Sequence, residues 1–281
     1  MFNKKRLVAI LTGTLLVGSL VGCSAGGASN SGSGSSDSSK ITISGSTSVG
    51  PTMEILAEDY QKENDTTTIE VQQVGSSAGI TNTIDGTSQI GMSSRDLKDE
   101  EKSELKEYQI AIDGIAVITN SANKVKDLTL DQVKDIYTGK ITNWKEVGGN
   151  DADIVVVSRE DGSGTRDGFQ EIVGFESGDL TSNAQISDGS GNIKTTVQGN
   201  ENAIGYISFG YLDDSINSVK IGGVEPKEEN VYNKKYPISR PFLLVTKGDA
   251  TGDAKSFIDY VLSDEGQKTI EKEGFMSVNQ K

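Results

Sequence analysis

The chain has 281 residues, with 41 acidic against 27 basic side chains, a net charge of −14 at pH 7, one cysteine and no histidine. The acidity argues against a nucleic-acid partner, and a lone cysteine leaves no disulfide within the chain. Without histidine there is no Ser-His-Asp or Cys-His nucleophile, no histidine metal site and no histidine general base, which removes most hydrolytic chemistry.

The first 22 residues read as a secretion leader: Lys4, Lys5 and Arg6 precede an apolar run over 7–21 that small residues interrupt. The run closes on Leu20-Val21-Gly22-Cys23, a spacing that resembles the lipobox of bacterial lipoproteins, in which the cysteine is lipidated and becomes the first mature residue. Residues 23–40 then read as a lipidated Cys23 followed by a Gly/Ser tether with too little apolar surface to order itself.

From residue 40 the pattern becomes that of an α/β protein. KITISG (40–45) alternates as a short strand, and SVGPTMEILAEDYQKEN (48–64) places Val49, Met53, Leu56, Ala57 and Tyr60 on one helical face, with Pro51 in the first turn. TIEVQQVG, SSAGITNTIDG and QIGMSS give strand, helix and strand, so the order βαβαβ predicts a largely parallel sheet. A long apolar run, YQIAIDGIAVITN (108–120), leads into a second α/β unit over about 119–235. It contains a helix near 130–138, the strand DIVVVSRE, a helix from Ser163, and a further helix and strand in ISDGSGNIKTTVQGN and AIGYIS. YPISRPFLLVTKG (236–248) is another long strand, and the C-terminal segment is helical again.

Ligands of α/β sheets bind at the carboxyl ends of strands, where the following helices present free N–H groups. Those junctions read GSTSV (45–49), VGSSAG (74–79), MSSRD (92–96) and SREDGSGTRD (158–167), and they carry Arg95, Arg159 and Arg166 while lysines are scattered elsewhere. Helix capping accounts for the serines of any one junction. Four together, with arginine concentrated in them, point to a small oxygen-rich anion. No GxxxxGK[ST] is present, and DGSGNIKTTVQG (188–199) fails as a calcium loop, with Ile193 where glycine belongs and Gly199 where the bidentate glutamate belongs. Trp144 has no aromatic companion close by and reads as a packing residue.

The lipobox, GSTSV, GSSAG, MSSR, SREDGSGTRDGF, AIGYISFGYL and YPISRPFLL together resemble the phosphate-binding proteins of bacterial high-affinity phosphate importers, the PstS family. The resemblance covers nearly all of the chain after the leader, and SREDGSGT is its most specific part. It implies an α/β, two-lobed type II periplasmic-binding-protein fold, with one lobe of residues 41–117 plus 243–281, another of 118–242, and two crossover strands near 112–118 and 242–246. It further implies a monomeric receptor that is not an enzyme and uses no cofactor or metal, lipid-anchored outside the cytoplasm, enclosing inorganic phosphate and delivering it to an ABC permease.

Carried over position by position, Thr47 and Ser48 would offer hydroxyl and N–H groups at the first helix and Ser76 at the second. Arg159 would pair with phosphate, and Ser163, Gly164 and Thr165 would supply hydroxyls and N–H groups. Asp161 would orient Arg159, and Arg166 would either join the site or form a surface ion pair. Many family members carry an aspartate at the end of the third strand, which accepts the proton that phosphate keeps and sulfate lacks. Here the turn reads Ser93-Ser94-Arg95, which places Ser94 and Arg95 in the site as donors and leaves Asp113 and Asp161 as candidate acceptors. The alternatives are another tetrahedral oxyanion such as sulfate, molybdate or tungstate, a secreted phosphoryl-transfer enzyme or phosphatase using Ser163 or Thr165, and a sensor or adhesin that kept the fold without transport.

Overall fold

The computed structural model describes residues 39–279; the leader, Cys23 and the tether up to Ser38 lie outside the described residues. β1 (Ser39–Gly45) turns Ile41 and Ile43 into the core. α1 (Gly50–Glu63) follows, with Pro51 in its first turn where a missing N–H costs nothing. Met53, Leu56, Ala57 and Tyr60 are its buried face, and Asn64 ends it by turning both backbone N–H and side-chain amide onto the Tyr60 carbonyl. β2 (Thr67–Gln73), α2 (Ser76–Ile84) and β3 (Ile90–Ser93) complete the first unit, with β1 parallel to both β2 and β3.

A short α3 (Asp99–Glu104) leads into β4 (Leu105–Asn120), 16 residues long. β5 (Asp127–Leu128), α4 (Leu130–Tyr137), β6 (Val155–Arg159), α5 (Gly164–Val173), β7 (Gln185–Ser187), α6 (Ser190–Gln198) and β8 (Ala203–Ser208) build the second unit. β9 (Ile216–Ser218), β10 (Lys220–Ile221) and α7 (Glu228–Tyr232) precede β11 (Ser239–Lys247), after which come α8 (Gly252–Leu262), α9 (Asp264–Lys272) and β12 (Met276–Ser277). α8 and α9 are separated at Ser263, which is extended and whose hydroxyl accepts from the Gly266 N–H at 3.2 Å.

Ten strands form one curled sheet in the order β2-β1-β3-β11-β4-β8-β6-β7, with β9 and β12 also pairing β4. The expectation of a largely parallel sheet holds inside each unit and fails between them. β11 runs antiparallel to β3 and β4, and β4 runs antiparallel to β8. A helical crossover returns the chain in the same direction, whereas β4 passes straight from one unit into the other and β11 comes back alongside it.

Side chains of β4 divide between two large cores, with Leu105 in a small third cluster beside Ile80, Leu97, Leu243 and Val245. Ile110 and Ala111 pack with Ile43, Met53, Phe242 and Phe257, while Ile115, Ala116, Val117 and Ile118 pack with Val157, Phe169, Tyr206 and Tyr236. Each fully buried Ile or Phe stabilises its core by about 1.5–3 kcal/mol. Trp144 is a packing residue of the second core, its indole N–H donating to the Asn202 carbonyl at 2.9 Å.

Candidate functional site

The carboxyl ends of β1, β2, β6 and β7 feed the N-termini of α1, α2, α5 and α6. Two of these turns need a left-handed residue directly before the helix, Gly75 at φ 89° and Gly189 at φ 79°, a region where a side chain would be strained. Ser163 caps α5, its hydroxyl accepting from the Arg166 N–H at 3.3 Å. The loop before α5 meets the first turn of α2 directly, the Ser77 N–H donating to the Gly162 carbonyl at 3.1 Å.

Four hydroxyls from these junctions touch one another. Ser48 Oγ lies 2.9 Å from Thr165 Oγ1 and 3.1 Å from Ser190 Oγ, and Thr47 Oγ1 lies 3.1 Å from Ser190 Oγ. The buried Arg159 donates from Nη1 to Ser190 Oγ (3.1 Å) and Thr165 Oγ1 (3.4 Å), and from Nη2 to Thr47 Oγ1 (3.1 Å). Beside this group, Ser76 Oγ is 3.3 Å from Ser94 Oγ and accepts from the Ser94 N–H. Gly164 presses on both: a Cβ there would sit 2.4 Å from Ser76 Oγ and 2.8 Å from Ser94 Oγ. Thr47, Ser48, Ser76, Ser94, Arg159, Gly164 and Thr165 are therefore gathered at one place, with Ser163 beside them as a helix cap.

Arg95 is not among them, contrary to the expectation that it donates into the site. Its guanidinium turns away, with Nη1 and Nη2 each 2.8 Å from a Glu101 carboxylate oxygen and Nε 3.0 Å from Asp167. The two carboxylates balance the buried charge, and the guanidinium also donates from Nη1 to the Asp96 carbonyl at 2.8 Å and from Nη2 to Ser77 Oγ at 3.4 Å. Asp161 does not orient Arg159 either: it is almost fully exposed and pairs with Arg166 at 2.7 Å. Glu160 takes that role, its Oε2 accepting from Arg159 Nε at 2.7 Å and from the Gly189 N–H at 3.2 Å. Burial pushes the Glu160 carboxyl up, but the hydrogen bonds and charge of Arg159 outweigh it and hold the group below its ordinary value. Arg166 is largely buried, its Nη1 also donating to the Arg159 carbonyl at 3.1 Å.

Three residues absent from the sequence-based site belong to the cluster or its wall. Ser190 joins two helix N-termini, and its signal was the tetrapeptide Asp-Gly-Ser-Gly, which occurs at both 161–164 and 188–191. Tyr211 donates its hydroxyl to the Thr47 carbonyl at 2.8 Å. Arg240 of β11 reaches Ser48 Oγ with Nη2 at 3.2 Å and is bound to Asp113 of β4 through Nε (3.1 Å) and Nη2 (2.9 Å). Asp113, fully buried, also accepts from Ser208 Oγ at 2.8 Å and the Phe209 N–H at 3.2 Å. Burial pushes its carboxyl up, against the pull of Arg240.

The chemistry available here is anion holding. Arg159 and Arg240 are matched by Glu160 and Asp113, so the guanidinium charge is locally balanced, and the further attraction for an anion comes from N–H groups and dipoles at four helix starts. The hydroxyl of Ser163 is a cap, and that of Thr165 meets Ser48 and Arg159; neither meets a carboxylate that could act as a base. Among the described residues no cluster of three or more Cys, Asp or Glu is placed to hold a metal ion, and no helix is long and apolar enough to cross a membrane.

Comparison with known proteins identifies the family. Residues 25–265 match the PBP superfamily domain. The phosphate-binding protein PstS of Bacillus subtilis is 39% identical over 237 residues, which span 83% of this chain and 78% of that protein. A Clostridium perfringens structure described as a phosphate ABC transporter substrate-binding protein with bound phosphate shares 64% identity at a TM-score of 0.84, over 85% of this chain and 100% of that one. An ABC-type phosphate transport receptor of Vibrio cholerae shares 39% identity at a TM-score of 0.74, again over 85% of this chain and 100% of that one. By its fold and by these relatives, the chain belongs to the PstS family of phosphate-binding proteins within the PBP superfamily.

Proposed function

We propose that this protein is an extracytoplasmic solute receptor that captures inorganic phosphate and hands it to an ABC permease, without transforming it. The observation that carries the reading is Arg159 meeting Thr47, Thr165 and Ser190, hydroxyls that stand at the starts of three helices. A tetrahedral oxyanion presents acceptors in several directions, and this arrangement answers with a guanidinium fork, hydroxyls and backbone N–H groups.

Thr47, Ser48 and Ser94 adjoin elements of one core, Ser76 opens α2, whose Ile80 packs with Leu243 and Val245 of β11 in a small third cluster, and Arg159, Ser163, Gly164, Thr165 and Ser190 belong to elements of the other large core. Residues 41–117 with 243–281 and residues 118–242 act as lobes that close on the ligand about β4 and β11. The protein works as a monomer, held at the membrane by lipid on Cys23 and a tether that ends where β1 begins at Ser39.

Titration calorimetry of the secreted chain with phosphate, sulfate and molybdate tests the assignment. One phosphate per chain, bound more tightly than either competitor, is the expected result. Tighter binding of sulfate or molybdate would transfer the site to that ion, and absence of phosphate binding would end the reading.

A further inference from the structure

Arg240, near the start of β11, and Asp113, in the buried part of β4, are opposite charges that the strand register sets directly opposite each other. Arg240 is 4% exposed and Asp113 0%. Around Asp113 the acceptor positions are filled: one oxygen takes Ser208 Oγ and the Phe209 N–H, the other takes Arg240 Nε and Nη2. A carboxylate offers about four lone-pair directions, so Asp113 has none left for a proton carried by a ligand. Its work is to fix a guanidinium.

That guanidinium is incompletely used. Nε and one hydrogen of Nη2 serve Asp113, the other Nη2 hydrogen goes to Ser48 Oγ, and Nη1 is buried with no hydrogen-bond partner. The Phe242 ring lies 5.4 Å from the guanidinium carbon, which supports the cation without accepting from Nη1. A buried donor left without an acceptor is costly, and an anion oxygen reaching Nη1 would relieve that cost. Ser48 Oγ, which Nη2 touches, is the same oxygen that meets Thr165 and Ser190, the partners of Arg159. Burial lowers the affinity of Arg240 for its proton, and the nearby Arg159 charge lowers it further. Two guanidiniums that repel each other at one hydroxyl cluster are relieved by an anion between them.

We propose that Arg240 is a second phosphate-binding arginine, contributed by the strand that joins the two cores rather than by a helix-start loop, with Asp113 as the residue that positions it. The inference rests on the phosphate reading above. Arg240 Nη1 donates to a phosphate oxygen alongside Arg159, and the ligand is thereby bonded directly to β11. Since Glu160 and Asp113 are both engaged by arginines, the acceptor for the ligand's own proton is a hydroxyl of the cluster rather than a carboxylate.

Phosphate titration on the secreted chain, with ligand-free melting recorded for each variant, tests this. Arg240→Lys keeps the charge and loses Nη1, and is expected to weaken phosphate about ten- to a hundred-fold. Because a lone Asp113 left buried can unfold the chain, the companion variant is Arg240→Met with Asp113→Leu, which replaces the pair by apolar groups of similar volume. It should melt near wild type and lose phosphate affinity at least as much as Arg240→Lys. Affinity within about threefold of wild type in the folded double variant would make the pair structural and overturn the proposal. Wild type and Arg159→Ala run in parallel separate the two readings: absence of phosphate binding by wild type itself condemns the phosphate assignment, whereas wild-type binding that only Arg159→Ala impairs condemns the role of Arg240.

Discussion

Replacing Gly164 by alanine adds one methyl group at the point where α5 meets α2. Gly164 is the first residue of α5 and its φ is not left-handed, so alanine fits the backbone and favours the helix by up to about 1 kcal/mol. The new Cβ would stand 2.4 Å from Ser76 Oγ, 2.8 Å from Ser94 Oγ and 2.9 Å from Ser76 Cβ. Carbon contacts settle at about 3.5–4.0 Å, so turning the hydroxyls away is not enough; Ser76 Cβ is fixed to the helix, and α2 and α5 must part by roughly an ångström at this contact. Overpacking of this kind costs about 1–3 kcal/mol, charged only to the arrangement in which the two helices touch, and hence about one to two decades in the phosphate dissociation constant. Calorimetric titration together with ligand-free melting reads both halves: affinity falls while the melting temperature holds or rises. Affinity within about a factor of two of wild type would mean that binding does not require α2 and α5 to meet as they do here, and the reasoning would fail.

Arg95→Ala removes a buried pair with Glu101 and Asp167, so the protein should lose about 3 kcal/mol of stability while phosphate affinity falls less than in Arg159→Ala. Equal losses of affinity in the two variants would return Arg95 to the site. Glu101 is pushed up by burial and pulled down more strongly by Arg95 and the Lys98 N–H, so its folded pKa lies below the ordinary 4.5. Its contribution is complete above that value and is lost as pH falls through the folded pKa; Glu101→Gln should therefore flatten the acid limb of a stability-versus-pH curve, and an unchanged limb would remove Glu101 as its cause. Cys23→Ser should release the protein from membranes with phosphate binding intact, and retention after a salt wash would refute the lipid anchor. Small-angle scattering should show a smaller radius of gyration with phosphate, and an unchanged profile at saturation would argue against closing lobes.

The α1 face of Met53, Leu56, Ala57 and Tyr60, with Val49 buried at its cap, was readable because a helix packed on one side imprints its period on the sequence. The run over 108–120 carried no such imprint of its neighbours: from Ile110 onward nearly every residue is buried on both faces, and such a strand says nothing about the direction of the strand beside it. The same limit governs the arginines. Arg95 and Arg159 both follow a strand among serines, and what separates them is a carboxylate placed by the fold: Asp167 draws Arg95 outward, while Glu160 stiffens Arg159 where it stands. Arg240 was concealed in a strand next to Pro241. Its trace in the sequence was a charge in an apolar run, matched by Asp113 in another, and only the register joins the two.

The hydroxyls of Thr47, Ser48, Thr165 and Ser190 are bonded to one another without fixed polarity, since either member of each pair can supply the hydrogen. An ionised carboxylate only accepts and a guanidinium only donates, whereas a hydroxyl does either by turning about one bond. A receptor whose accepting capacity resides in such rotors meets a phosphate carrying one proton or two with the same side chains, answering the second proton by reversing a single hydroxyl.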